Sequence, residues 1–197
     1  MNWEAFSPAD YVTSVWSGGT TTQLAISPVN AVYASRNFLW RLSSAKVELE
    51  HSDFTPLPDY NRLISVLDGE LSIRIGEGEK SPLPRFSLRA FDGGTPVESW
   101  GKCSDFNLML RKGLCIGLVQ HVMLAPKSSS IWCAPVTAPC RFARTDIAIY
   151  CVAGDVKLDV GPEAASGWLL LCREAEFSYL DLSSDSGTEL MISVIRY

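Results

Sequence analysis

Residues 64–76, ISVLDGELSIRIG, and residues 149–161, IYCVAGDVKLDVG, decide the fold, because they are one phrase written twice. Gly69 aligns with Gly154 and Gly76 with Gly161, both at an offset of 85 (154 − 69 and 161 − 76). Each copy is an apolar run, a glycine with an acid beside it, a run of alternating residues and a second glycine. In the first copy Leu71, Ile73 and Ile75 alternate with Ser72 and Arg74; in the second Val156, Leu158 and Val160 alternate with Lys157 and Asp159. That is the two-residue period of a half-buried strand. The glycines predict a β-hairpin in each copy, turning near Gly69 and Gly154. Two copies this far apart are too few for a solenoid and predict two like β-domains.

The phrase resembles the hairpin in the middle of the cupin barrel, and its doubling implies a bicupin. The expected fold is therefore all-β with little helix, two cupin-like β-barrels or sandwiches packed together. Residues 1–112 would form the N-terminal barrel with the ligand pocket, and residues 113–197 a C-terminal barrel that is structural or dimer-forming.

Composition limits what such a protein can do. A chain of 197 residues with 47% hydrophobic and 20% charged residues buries a real core and is not disordered. No stretch approaches the ~18 apolar residues of a membrane span. The start, MNWEAFSPADY, lacks the basic and apolar blocks of a signal peptide, so a cytoplasmic protein is expected. A net charge of −5, a pI near 5.1 and no basic run argue against nucleic acid as partner and point to a small molecule. The six cysteines, Cys103, Cys115, Cys133, Cys140, Cys151 and Cys172, form no C-x-x-C pair and read as free thiols, with a Cys133–Cys140 bridge disfavoured in a reducing compartment. His51 and His121 are the only histidines, and neither lies in the H-x-H pair with which a metal cupin begins its site. No metal and no other cofactor is expected. The commonest general base is scarce too, although an aspartate or glutamate could replace it.

Three stretches carry the polar residues that could make a site. In WSGGTTTQL, residues 16–24, Gly18 and Gly19 could let the backbone approach an anion, with the hydroxyl of Thr20 nearby. Equally, the two glycines could simply turn the chain into a β-branched strand, and no helix follows to make a phosphate loop. NFLWRLSSAKVELE, residues 37–50, reads as strand, with Phe38, Trp40 and Leu42 on one face and Leu39, Arg41 and Ser43 on the other. An arginine in so apolar a strand must meet solvent, a carboxylate or a ligand. DFNLMLRKG, residues 105–113, puts Phe106, Leu108 and Leu110 on one face and Asp105, Asn107, Met109 and Arg111 on the other. The polar face is either solvated or one wall of a pocket.

Together with Arg62, which precedes the first repeat strand, and AFDGG, these stretches resemble the HutD/Ves family in order and approximate spacing. The likeness spans nearly the whole chain, FLWRLS and DFNLM-x-R being its most specific parts. It implies a bicupin without metal, a pocket for a small ligand and a regulatory role in histidine utilisation. Many members read W-K-N-G-G-G-x-T-R-E at the first motif; here Trp16 is followed by Ser17, Gly18 and Gly19, and Thr22-Gln23 stand where Arg-Glu is expected. The chain thus resembles a divergent member that lacks that motif's lysine, arginine and glutamate.

Two functions stay open on the sequence. One is a non-catalytic binder of an anionic metabolite that regulates histidine utilisation. The other is a metal-independent isomerase or hydrolase with Asp92 or Asp105 as base and arginines as anion clamps. The expected cavity gathers Arg41, Arg62 and Arg111 with Asp92, Asp105 and Asn107, and sets Trp16, Gly18, Gly19 and Thr20 at its mouth. Guanidinium pairs carboxylate through two parallel hydrogen bonds, so urocanate and formylglutamate are the first ligands to consider, on the resemblance. The alternative is that Asp105 pairs with one of these arginines and closes the cavity. A homodimer remains open.

Overall fold

The structure, a computed structural model, describes residues 2–135 and 142–197. In chain order the strands are β1 (Asn2–Phe6), β2 (Val12–Trp16), β3 (Gly19–Ser27), β4 (Trp40–Val47), β5 (His51–Asp53), β6 (Tyr60–Gly69), β7 (Ser72–Ile75), β8 (Ser81–Pro82) and β9 (Leu88–Asp92). There follow β10 (Val97–Trp100), β11 (Cys103–Arg111), β12 (Ile116–Leu124), β13 (Ser128–Cys133), β14 (Thr145–Leu158), β15 (Ala164–Ala165), β16 (Leu169–Arg173), β17 (Tyr179–Ser184) and β18 (Thr188–Arg196). Two single 3-10 turns, Pro8–Asp10 and Tyr33–Ser35, are the only helical elements among the described residues. None is long and apolar enough to cross a membrane.

The chain divides into two compact units, Tyr11–Ile116 and Gly117–Tyr197, the latter joined by the residues up to Asp10. The division is not a single cut near residue 112, because β1 pairs antiparallel with β16 through Asn2↔Arg173 to Phe6↔Leu169 and so satisfies its backbone in the second unit. In the unit of residues 11–116, β2-β3-β4-β11-β6-β9 form a six-stranded antiparallel sheet and β5-β10-β7-β8 a four-stranded one. Ile64, Val66, Ile73, Leu83, Phe91 and Val97 pack in one apolar cluster there, and Ile26, Phe38, Leu57, Tyr60 and Met109 in another. The other unit builds its sheet around β14, which pairs with β16 and β18, over a core that includes Ile147, Ile149, Leu170, Leu182, Leu190 and Ile192.

Gly69 and Gly154, the first glycine of each copy, are corners, not hairpin turns. β6 pairs with β9 and β11 whereas β7 pairs with β8 and β10, so the chain changes sheets at Gly69. Before Gly154, β14 pairs with β16 and β18; after it, with β15 and β17. Both glycines have φ +81°, and a Cβ would lie 2.4 Å from the Lys102 carbonyl oxygen at Gly69 and 1.7 Å from that of Gly187 at Gly154. Only glycine turns this corner without a clash. A hairpin and a corner share the same local pattern, apolar run then glycine then alternation, and only strand pairing tells them apart. The likeness also extends into the partner strand: Cys103 faces Gly69 as Thr188 faces Gly154, again 85 apart (188 − 103). Leu67 and Val152 are both skipped by a bulge, at the same offset (152 − 67).

Cys103, Cys115, Cys151 and Cys172 are buried free thiols and Cys133 is an exposed one. Cys140, the other member of the disfavoured bridge, lies outside the described residues. His121 meets Glu189, and exposed His51 meets Glu98 at 3.4 Å.

Candidate functional site

A cavity of about 210 Å³ opens within the unit of residues 11–116, roughly the room of seven water molecules at ~30 Å³ each. Its walls follow from strand alternation. β4 contributes Arg41, Ser43, Ala45 and Val47; β11, hydrogen-bonded beside it, contributes Asp105, Asn107 and Met109; β6, on the far side of β11, contributes Arg62. The polar face of β11 is therefore a cavity wall and not a solvated surface. Ser14 and Trp16 from β2 and Thr21 from β3 also line it, as do Tyr33 and the segment Asp53, Phe54 and Thr55. Ser14, Asp53 and Thr55 are exposed and mark the mouth.

Four polar side chains are sunk in this apolar frame: Arg41, Arg62, Asp105 and Asn107 are only 4% to 7% exposed. Burying a charge is costly unless it is paired. Yet neither arginine lies within 4 Å of any carboxylate of the described residues. The closed cavity, in which Asp105 ties up an arginine, is not what the structure shows. Arg41 donates from Nε to Gln23 Oε1 at 2.9 Å and from Nη1 to Ser43 Oγ at 3.1 Å, and its guanidinium lies 4.4 Å from the Tyr33 ring centre. Arg62 makes one long 3.5 Å contact to the Thr55 carbonyl and lies 5.0 Å and 5.3 Å from the Phe54 and Phe91 rings. These cation–π contacts give both guanidiniums an apolar seat. They leave hydrogen-bonding capacity over. Arg62 Nε, Trp16 Nε1 and Asn107 Oδ1 are buried without a partner among the described residues, and all three residues line the cavity.

The electrostatics agree with the geometry. Burial lowers Arg41 to about 10, assisted by the Arg62 and Arg36 charges, so that it remains a cation near neutrality. Burial likewise lowers Arg62, against the attraction of Asp105. Asp105 is pushed up to about 6 by burial, partly offset by the hydrogen bond it accepts from the Ala45 amide at 3.0 Å and by Arg62. The cavity thus holds two guanidiniums and one carboxylate that interact without touching.

Five of the ten residues expected at the site line this cavity: Trp16, Arg41, Arg62, Asp105 and Asn107. The others are placed elsewhere. Gly18 and Gly19 turn β2 into β3; Gly19 has φ +147° and a Cβ there would lie 1.9 Å from the Lys46 carbonyl oxygen. Thr20 follows in β3, one position from the lining Thr21. Asp92 is exposed, pairs with Lys112 at 2.6 Å and accepts the Gly94 amide, because its β9 neighbour Phe91 takes the inward position. Arg111 shares the face of Asp105 but lies beyond the cavity, donating to the Arg36 carbonyl at 2.8 Å and to the Tyr60 hydroxyl at 3.1 Å. Sequence reasoning missed Tyr33, Phe54, Asp53 and Thr55, which sit in or beside loops where no period signals a face. His51, Asp53 and Glu98 bring their ligand atoms within 4.8 Å of one another, but Glu98 already pairs with Arg74 and His51.

Comparison with solved structures returns the same architecture. A conserved protein of unknown function from Pseudomonas aeruginosa superposes with a TM-score of 0.80 at 20% identity, covering 98% of both chains. HutD from Pseudomonas fluorescens gives 0.77 at 21% identity over 100% of both chains. The pirin YhhW of Escherichia coli gives 0.73 at 10% identity, over 98% of this chain and 97% of that one. Likenesses to cupin proteins such as the oxalate decarboxylase of Bacillus subtilis carry the fold alone, a bicupin, at 8% identity. No curated protein matches by sequence. The HutD family profile matches residues 8–172, and the chain belongs to the HutD family.

Proposed function

We propose that this protein is a non-catalytic binder of a small anionic metabolite, acting in the cytoplasm as a regulator of histidine utilisation, with Arg41 and Arg62 as the carboxylate clamp. One observation carries the reading: two buried guanidiniums face a cavity, and among the described residues no carboxylate lies within 4 Å of either and one keeps an unpartnered Nε. A carboxylate supplies the missing charge and acceptors in one group. The lining residues offer no histidine or thiol, and two guanidiniums repel a cation, so a metal is not part of this reading. Urocanate and formylglutamate remain the first ligands to test. Formate, named as the condition of the Pseudomonas fluorescens HutD structure, is the smallest carboxylate probe. Calorimetric titration should show binding that is lost in Arg41→Leu and Arg62→Leu proteins that stay folded. Parent-like affinity in both variants would refute the clamp.

A second reading, a metal-independent isomerase or hydrolase, has Asp105 in its favour, a buried carboxylate in the same cavity held near 6 and so able to move a proton near neutrality. Asp92, exposed and paired with Lys112, is not suited to the same part. Product formation from a bound acid, abolished in Asp105→Asn, would favour catalysis. A ligand recovered unchanged after prolonged incubation favours binding alone.

A further inference from the structure

We propose that the cavity selects a monocarboxylate whose far end carries an N–H or O–H donor, with Arg41 and Arg62 taking the carboxylate and Asp105 and Asn107 taking the donor. The inference rests on the carboxylate-binding reading above and goes beyond it by fixing the ligand's charge and its second functional group.

Arg41 and Arg62 contribute two positive charges, Asp105 contributes one negative charge, and the remainder is one positive charge. In a site shielded from water an unmatched charge is costly, so the ligand that neutralises the cavity is a monoanion. Asp53 adds a carboxylate only at the exposed mouth, where water screens it.

The unused hydrogen-bonding groups are segregated by chemistry. The free charged donor is Arg62 Nε on β6, and Arg41 on β4 stands in the same row, both being register partners of Met109 on β11; Trp16 on β2 lies at the other end, in the row of Val47 and Cys103. The free acceptors lie together on β11. Among the described residues Asp105 accepts the Ala45 amide through Oδ1 and makes no other hydrogen bond through that side chain, and Asn107 Oδ1 has no partner. Being two residues apart on one strand, they stand about 6–7 Å apart on the same face and form an acceptor wall. A ligand that is an acceptor at both ends satisfies one wall and leaves the other unpaired. Met109 lies between the two arginines in the sheet, with Tyr33 against Arg41 and Phe54 against Arg62, so the carboxylate end has an apolar surround and the far end of the ligand reaches along β11 toward Asn107 and Asp105.

The same wall acts against a second carboxylate. It would stand before Asp105, whose surroundings are Arg62 from β6, Arg41 and the Ala45 amide from β4, Cys103 and Asn107 on its own strand, and Asp53 at the rim from β5. Two carboxylates in one buried site do not both stay ionised. A dianion therefore enters with a proton on Asp105, and burial already sets that proton near pH 6 without ligand. Dianion binding should strengthen as pH falls through that value. Of the two first candidates, urocanate has one carboxylate and a ring N–H, whereas formylglutamate has two carboxylates.

The test uses the full chain, calorimetry and three probes. Urocanate and cinnamate share the planar acrylate but only urocanate has a ring N–H; formylglutamate supplies the dianion. At pH 7.5 urocanate should bind roughly tenfold or more tightly than cinnamate, the usual penalty for leaving buried polar groups unmatched. Formylglutamate should bind more weakly than urocanate at pH 7.5 and gain at pH 5.5. Asp105→Leu, which keeps both arginines, should bring urocanate and cinnamate to similar affinity, a ratio that a purely structural role for Asp105 would not move. Cinnamate binding as tightly as urocanate to the parent, or formylglutamate binding more tightly at pH 7.5 than at pH 5.5, overturns the inference while leaving the arginine clamp standing. Failure of all three acids to bind overturns the clamp as well.

Discussion

At one offset of 85 the two units place Arg62 against Ile147, Asp105 against Leu190, Asn107 against Ile192 and Met109 against Val194, on strands paired in the same register with the same skipped residue. In the second unit all four positions are apolar core, at most 2% exposed. In the first, three are polar and border a cavity. The second unit thus shows what this frame does where no cavity opens at these positions: it fills them with aliphatic side chains. Since replacing buried charges by packed apolar residues is often neutral or stabilising, the polar set in the first unit stands at the expense of stability, as sites commonly do.

The most damaging change should be at the feature the two units share. Gly154→Ala and Gly69→Ala both force a Cβ into a backbone carbonyl at φ +81°. Each should cost several kcal/mol, of order 3 or more, with Gly154 the worse because its clash is closer. Denaturant unfolding measures this; a loss below about 1 kcal/mol at either would mean the corner is not set by the glycine. Next, Arg62→Ile, Asp105→Leu and Asn107→Ile combined give the first unit the residues of the second. This triple variant should gain ~1–4 kcal/mol in the same experiment and lose carboxylate binding. A less stable variant would show that the polar groups hold the first unit together, and the comparison would break.

Asp105 gives a pH signature. Its carboxyl sits at about 6 in the folded protein and near 3.9 unfolded, so between pH ~4 and ~6 the unfolded chain loses this proton first. Stability should fall across that window by about 2–3 kcal/mol as pH rises, then level off. In Asp105→Leu this descending part should vanish; its persistence would assign it to another group. The smallest effect is expected off the site. Arg111→Leu removes bonds to the Arg36 carbonyl and Tyr60 hydroxyl but should leave carboxylate affinity within about twofold, since no cavity contact is lost. A tenfold loss would mean that Arg111 reaches the ligand.

The sequence makes the repeat legible because strand alternation and glycine survive in one dimension. It shows one face of β4 and β11 as polar for the same reason, and hence Arg41, Asp105 and Asn107. What it cannot show is how far a polar face extends before the cavity ends, which is why Arg111, on the same face as Asp105, falls outside. Asp92 fails by one step of alternation, Phe91 taking the inward position. Tyr33 and Phe54 were hidden because loops have no period: their rings matter only through the guanidiniums that tertiary structure brings to them. Gly69 and Gly154 predict hairpin turns in the sequence and are corners between sheets in the structure, because the strands that pair with them lie far along the chain.

The most direct test of the account is a crystal structure of the protein with urocanate. Its carboxylate should lie within hydrogen-bond distance of both the Arg41 and Arg62 guanidiniums, inside the unit of residues 11–116. A well-ordered urocanate bound elsewhere, with the Arg41–Arg62 cavity holding only water, would contradict it.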